Sequence, residues 1–220
     1  MSLRPVARLV AALVPALLLL PAVAHAETVT VEDGAGDARA LNFGSDLGGF
    51  LFGESSEEEQ PLFLHAPAEV ATDVVRTTVQ HARRITVTTQ FRDLVDTMDH
   101  SLDMLVVTPD GRFSLLADKG PDGTGYGLLM PPRFSGEGKR PRFCRTVRVR
   151  YDYVADTVTA SFPAACVGDP RWIQLGSYAT RLQVTPLGDG SVNVAGWVDD
   201  AFRAHVSERS RGKSPRVHRG

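Results

Sequence analysis

Lysine is scarce in this chain, with three residues against 21 arginines, and only two cysteines and two tryptophans occur in 220 residues. Two cysteines are too few for a disulfide-dense scaffold or a multi-cysteine zinc site. No apolar run after residue 26 approaches the roughly 20 residues of a membrane-spanning helix, which argues against an integral protein that crosses the bilayer with helices. A formal net charge of −2 excludes a strongly basic nucleic-acid binder. The arginine excess reads as a bias of base composition, because Arg and Lys differ physically mainly at bidentate or stacked sites. With 43% hydrophobic and 23% charged residues the chain has the ordinary composition of a globular domain, which argues against wholesale disorder.

What is present begins with a compartment signal. Arg4 and Arg8 precede an apolar run from Leu9 to Leu20 and the small-residue ending Ala24-His25-Ala26. This is the pattern of a secretory signal peptide over residues 1–26, with cleavage expected after Ala26 and a secreted, extracellular product without a membrane span. No cysteine stands near the cleavage point to accept a lipid. The remaining charge is uneven: residues 27–202 carry −9 and the tail, residues 203–220, carries +5. Such a tail reads as a basic, flexible, solvated terminus; the alternative is a segment that docks on the acidic body or on an anionic wall polymer.

Cys144 and Cys166 are both in the exported part, so a disulfide is expected. Between them Val147, Val149, Tyr151 and Tyr153 alternate with Arg148, Arg150 and Asp152, and Val158, Ala160 and Phe162 alternate with Thr157, Thr159 and Ser161. The two-residue period predicts a hairpin turning at Val154-Ala155-Asp156, with Phe162 opposite Val149, Ala160 opposite Tyr151 and Val158 opposite Tyr153. In that register the cysteines fall one position out of phase, and a bulge or strand end at Pro163 is expected to correct it.

A first strand is expected over residues 28–31, running into the turn-rich Glu32-Asp33-Gly34-Ala35-Gly36-Asp37. Residues 42–61 read as a long exposed loop. A second hairpin is expected from Val74 to Phe91 around Ala82-Arg83-Arg84, and a third around Pro109-Asp110-Gly111. Residues 120–142 read as loop, with an apolar island from Tyr126 to Met130, and further strands are expected at residues 172–175, 182–185 and 192–198. About nine short strands and no amphipathic helix predict an all-β fold, an antiparallel β-sandwich of jelly-roll or Ig-like type over residues 27–202.

On the Glu32 to Asp37 opening, the paired strands from Val74 to Phe91, and the block from Cys144 to Trp172 ending Pro163-Ala164-Ala165-Cys166-Val167-Gly168-Asp169-Pro170-Arg171-Trp172, the chain resembles secreted actinobacterial β-sandwich proteins of unknown function. More distantly it is similar to the jelly-roll modules of the family 9 carbohydrate-binding and DOMON-like class. The first resemblance implies no activity, and the second is one of fold alone.

Catalytic patterns are missing from the local sequence. There is no His-Glu-x-x-His and no Gly-x-Ser-x-Gly, and Gly138-Lys139 is followed by Arg140 where a phosphate loop needs Ser or Thr. No catalytic residue is assigned, and no cofactor other than a structural calcium ion is expected. Asp33, Asp37 and Asp73 could supply oxygen ligands to such an ion; capping and turn formation is the alternative use of these residues. Asp93, Asp96, Asp99 and Asp103 with His100 form a second acidic group, read as a solvated connector. For sugar stacking the candidates are Tyr126, Trp172, Tyr178 and Trp197. The tryptophans sit in strand-like runs that would equally bury them, whereas Tyr126 stands in a Gly-rich segment beside Leu128, Leu129 and Met130. The expectation is a non-catalytic extracellular binding or interaction module whose partner is a glycan, a cell-wall polymer or a protein, and not nucleic acid. The alternative is a secreted hydrolase whose active site assembles only in the fold.

Overall fold

A computed structural model describes residues 26–43, 61–96, 100–119, 123–130, 144, 146–188, 190–207 and 209–220. The expected signal segment, but for Ala26, and most of the expected 42–61 loop lie outside these residues. Among them thirteen strands form two antiparallel sheets that pack face to face as a β-sandwich.

The smaller sheet has the order β1-β4-β5-β10-β9, built from β1 (Glu27–Glu32), β4 (Val74–His81), β5 (Arg84–Phe91), β9 (Arg148–Asp152) and β10 (Thr157–Pro163). The larger has the order β3-β2-β12-β11-β6-β7-β8, built from β2 (Arg39–Leu41), β3 (Phe63–His65), β6 (His100–Thr108), β7 (Gly111–Lys119), β8 (Gly125–Met130), β11 (Trp172–Pro186) and β12 (Val192–Asp200). The two-residue period decides which groups meet between them. Val79, Ile85, Val87, Val158, Ala160 and Phe162 of the small sheet face Leu102, Met104, Val106, Leu115, Ile173 and Leu175 of the large one, all buried in one core. Outward positions of the small sheet are hydroxyl-rich: Thr30, Thr78, Thr88 and Thr159 stand in one cross-strand row, paired as Thr30–Thr78 and Thr88–Thr159 by hydroxyl hydrogen bonds of 3.1 and 3.2 Å.

More strands are found than the nine expected, because β2, β3 and β13 (Val217–His218) are two or three residues long and too short to show a period. β8 falls where a loop was expected. Its glycines are there for close packing: a Cβ on Gly127 would lie 2.2 Å from Val147 Cγ1, so only a bare backbone lets β8 approach the β9 segment this closely.

The hairpin between the cysteines forms with its apolar face inward, but its register differs by two residues from the expected one: Ala160 pairs with Val149 and Val158 with Tyr151. A four-residue connection, Tyr153 to Asp156, causes the difference. Asp152 Oδ1 accepts the Ala155 N–H at 3.2 Å, and Asp156 turns the chain in a left-handed conformation with φ of 52°. A shift of two preserves the face, which is why alternation alone does not detect it. β10 ends at Pro163, and a short 3-10 turn, Ala164–Val167, carries Cys166 out of strand phase. Cys144 has meanwhile left β9 and pairs with Leu129 of β8. The disulfide Cys144–Cys166 joins these two irregular segments with a Cα–Cα distance of 5.6 Å. Replacing both cysteines by serine is expected to lower the unfolding free energy by about 3 kcal/mol, through the freed 22-residue loop, read as a lower urea midpoint.

The C-terminal tail packs against the body, the alternative to the flexible terminus expected from its charge. Arg211 pairs with Asp103 and lies over the Tyr178 ring, 4.6 Å from its centroid. Ser214 is buried, its hydroxyl accepting the Leu175 N–H at 3.0 Å while its own N–H donates to Leu175 O at 2.7 Å. β13 adds to β11 through Trp172 and Ile173, Val217 is fully buried, and the Val217 carbonyl accepts from His81 Nδ1 at 3.1 Å. The strap can lie this close because Gly176 has no side chain: a Cβ there would meet Gly212 O at 2.8 Å. Basic charge drew the expectation toward solvent; the apolar Val217 and the acidic partners on the body decide the outcome.

Candidate metal centre

The Asp33 to Asp37 turn leaves β1 and folds over the end of the sandwich where β4, β5 and β12 meet. Asp33 N–H donates to Val75 O at 3.0 Å. The β4–β5 register shifts between Val74 and Arg76, and this irregularity frees the Val74 N–H to donate to Asp199 Oδ2 at 2.7 Å. Gly36, with φ of 88°, brings its N–H onto Asp73, 3.0 Å from Oδ1 and 2.8 Å from Oδ2.

Five carboxylates gather here, and they divide by partner. Asp73 is fully buried and taken up by Gly36 and by an ion pair with Arg92 at 2.8 Å. Asp200 is buried and accepts the Gly212 N–H at 2.7 Å and the Phe202 N–H at 3.2 Å. Asp199 is buried and accepts from Val74 and from Asp200 N–H. Asp33 Oδ2 and both carboxylate oxygens of Asp37 are closed off from solvent and accept no hydrogen bond. One oxygen from each of Asp33, Asp37 and Asp199 lies within 4.8 Å of the others.

Burial without enough donors raises the carboxyl groups far above the usual carboxylate range. Desolvation pushes Asp33 to about 8, with Asp199 and Asp37 adding to it by repulsion. Desolvation raises Asp199 to about 7, against the opposing pull of the Val74 N–H. Asp37 is raised by desolvation too, and Asp73 likewise in spite of Gly36 and Arg92. Near neutral pH the cluster therefore holds protons or holds a cation.

The donor set fits a hard divalent cation. Oxygens around calcium sit 2.3–2.6 Å from the ion, so ligands on opposite sides are about 5 Å apart, the span over which these three carboxylates gather. Asp33, Asp37 and Asp199 are the residues that would hold calcium. Of the three expected from sequence, Asp33 and Asp37 are brought together, while Asp73 stands beside them and is spent on Arg92 and Gly36. Asp199 was not anticipated, because it comes from the end of β12, far along the chain; the signal for it is the Asp199-Asp200 pair closing an otherwise apolar strand.

No protein-family model, curated protein or solved structure matches the chain. The site is therefore read from its own geometry.

The second acidic group does not assemble: Asp96 pairs with Lys119 and Asp103 with Arg211, and Asp99 lies outside the described residues. Of the aromatic candidates, three are half-buried and covered by guanidinium groups. Arg181 lies 3.8 Å from the Trp197 ring centroid, Arg216 lies 4.3 Å from that of Trp172, and Arg211 covers Tyr178. Tyr126 differs. It projects from β8 on the outer face of the large sheet, 48% exposed, next to Leu128 at 38%, with its hydroxyl donating to Asp118 Oδ2 at 2.9 Å. Among the described residues no helix is long and apolar enough to cross a membrane.

Proposed function

We propose that the protein is a secreted, non-catalytic β-sandwich module that recognises an extracellular glycan or cell-wall component, with a structural calcium ion bracing one end of the sandwich. The observation that carries the recognition reading is the contrast among the aromatics. Trp172, Tyr178 and Trp197 already have cationic partners on their faces, whereas Tyr126 presents an oriented phenol ring to solvent beside exposed Leu128. A ring held by its own hydroxyl on a rigid strand can stack on a sugar at little entropic cost. The resemblance of fold to carbohydrate-binding jelly rolls agrees with this reading. The calcium reading is supported by the unpartnered oxygens of Asp33 and Asp37.

Glycan-array binding by the mature chain tests the proposal. Tyr126→Ala is expected to weaken binding tenfold or more while lowering the melting temperature by only a few degrees, since the side chain is exposed and outside the core. Binding unaffected by Tyr126→Ala would remove the ring from the account.

A further inference from the structure

The acidic body carries a concentrated positive feature among the described residues. On the outer face of the large sheet a groove of about 490 Å³ runs between β7 and the C-terminal strap. Its floor is Leu105 of β6 and Ser114 of β7, which stand opposite each other in register. Arg112 of β7 lines one side, and Arg209, Arg211 and Lys213 of the strap line the other. Arg211 is held by Asp103 and stacks on Tyr178. Arg112, Arg209 and Lys213 are exposed and have no carboxylate partner among the described residues. A body of charge −9 has carboxylates to spare, so three cations around one cavity, none paired with a described carboxylate, suit a ligand that brings negative charge.

Beyond the groove the outward row of the sheet continues along β7 and β8 toward Tyr126. Ser114 pairs with Met130, Leu116 with Leu128, and Asp118 with Tyr126, so the outward row beside the groove leads through two apolar positions to the exposed ring. Four residues of strand separate Met130 from Tyr126, about 13 Å, the length of two to three sugar units. Guanidinium forks suit carboxylate and phosphate groups, the Ser114 and Ser210 hydroxyls suit sugar hydroxyls, and Leu105 suits the apolar face of a ring.

We infer that this groove binds an extended acidic glycan, its anionic groups held by Arg112, Arg209 and Lys213 and its neighbouring sugars lying along β8 toward Tyr126. The inference rests on the reading of the chain as an extracellular binding module and names the ligand class for it. The strap is then a wall of the binding site as well as a structural element. Because the cations are exposed, the affinity is screened by salt.

Isothermal titration of the full mature chain with a uronic-acid hexasaccharide, the corresponding neutral hexasaccharide and inorganic polyphosphate tests this. The acidic sugar is expected to bind at least tenfold more tightly than the neutral one, and more weakly as salt is raised from 50 to 500 mM. The double variant Arg112→Gln/Lys213→Gln, both at exposed positions, is expected to lose about tenfold for the acidic sugar with an unchanged melting temperature. Equal binding of acidic and neutral sugars, or an unaffected double variant, overturns the groove; if Tyr126→Ala still weakens binding, the module reading survives that failure. Loss in the double variant with no effect of Tyr126→Ala supports the groove and removes the ring. Polyphosphate binding as tight as that of the acidic sugar overturns the glycan assignment in favour of bare anion capture, and no binding to any probe overturns the inference.

Discussion

Calcium added to the chelated protein at pH 8 is expected to raise its melting temperature by about 5–10 °C at a hundredfold excess over the dissociation constant. Binding to the native state alone contributes RT ln(1 + [L]/Kd), about 2.7 kcal/mol at that excess, and a domain of this size gains roughly 2–4 °C per kcal/mol. The ion would replace protons or mutual repulsion among Asp33, Asp37 and Asp199, whose oxygens gather within 4.8 Å. Asp37→Asn is the sharpest variant, because both Asp37 oxygens accept no hydrogen bond and the charge adds to the repulsion felt by Asp33 and Asp199. The variant is expected to be more stable than the parent without calcium and to gain nothing from it. A parent melting temperature indifferent to chelator would sink the site.

The pH dependence of the chelated protein follows with an unusual sign. Asp33 is raised to about 8 and Asp199 to about 7 in the folded state, against ordinary values near 3.8 unfolded. Between those limits the native state holds more protons than the unfolded one, so stability falls as pH rises. The protein without calcium is expected to be most stable near pH 4–5 and to weaken steadily toward pH 8, read by urea midpoints across that range. Calcium is expected to flatten the curve. A chelated protein that grows more stable from pH 5 to 8 would contradict the burial described for Asp33 and Asp199.

Removal of residues 210–220 is expected to lower the melting temperature by about 10–20 °C. Val217 is fully buried, and exposing a valine of this kind costs roughly 1.5–2 kcal/mol. Deleting Gly212 takes from buried Asp200 a hydrogen bond of 2.7 Å, at a cost of about 1–3 kcal/mol. Ser214 satisfies both the N–H and the C=O of Leu175, and His81 Nδ1 loses its Val217 acceptor. Together these reach about 5 kcal/mol, and at 2–4 °C per kcal/mol the quoted fall follows. Thermal denaturation of the truncated chain reads it directly. In the intact chain the strap is expected to resist limited trypsin digestion at Arg211 and Lys213 despite their basic side chains; rapid trimming back to Arg203 would show that it does not hold.

The sandwich was legible in the sequence wherever one face of a strand is buried, because alternation then shows in the residues themselves. β5 and β10 are instances: Ile85, Val87 and Phe91, and Val158, Ala160 and Phe162, are the buried positions of their strands. β8 was hidden because Gly125 and Gly127 occupy the inward positions where apolar side chains would have signalled a strand. The hairpin register was hidden because a two-residue shift leaves every side chain on its own face. At the acidic site the local turn Asp33 to Asp37 was legible, as Asp and Gly in that density mark a tight connection. Asp199 was not, since its placement depends on the pairing of β11 with β12, a relation between distant segments. Where the strap packs was not legible because charge is visible along a chain while the complementary Asp103 and the bare Gly176 surface are not.

The pairing of Cys144 with Leu129 has a consequence for self-association. β8 is the last strand of the large sheet, and its Tyr126 and Leu128 side chains already face solvent. A flat terminal strand with apolar outward residues is the sort that recruits a copy of itself, main chain to main chain. Cys144, fastened to Cys166, lies against that margin and occupies the backbone groups of Leu129. Reduction frees Cys144 from this margin, so the reduced protein is expected to self-associate more readily than the oxidised one, read by light scattering at equal concentration.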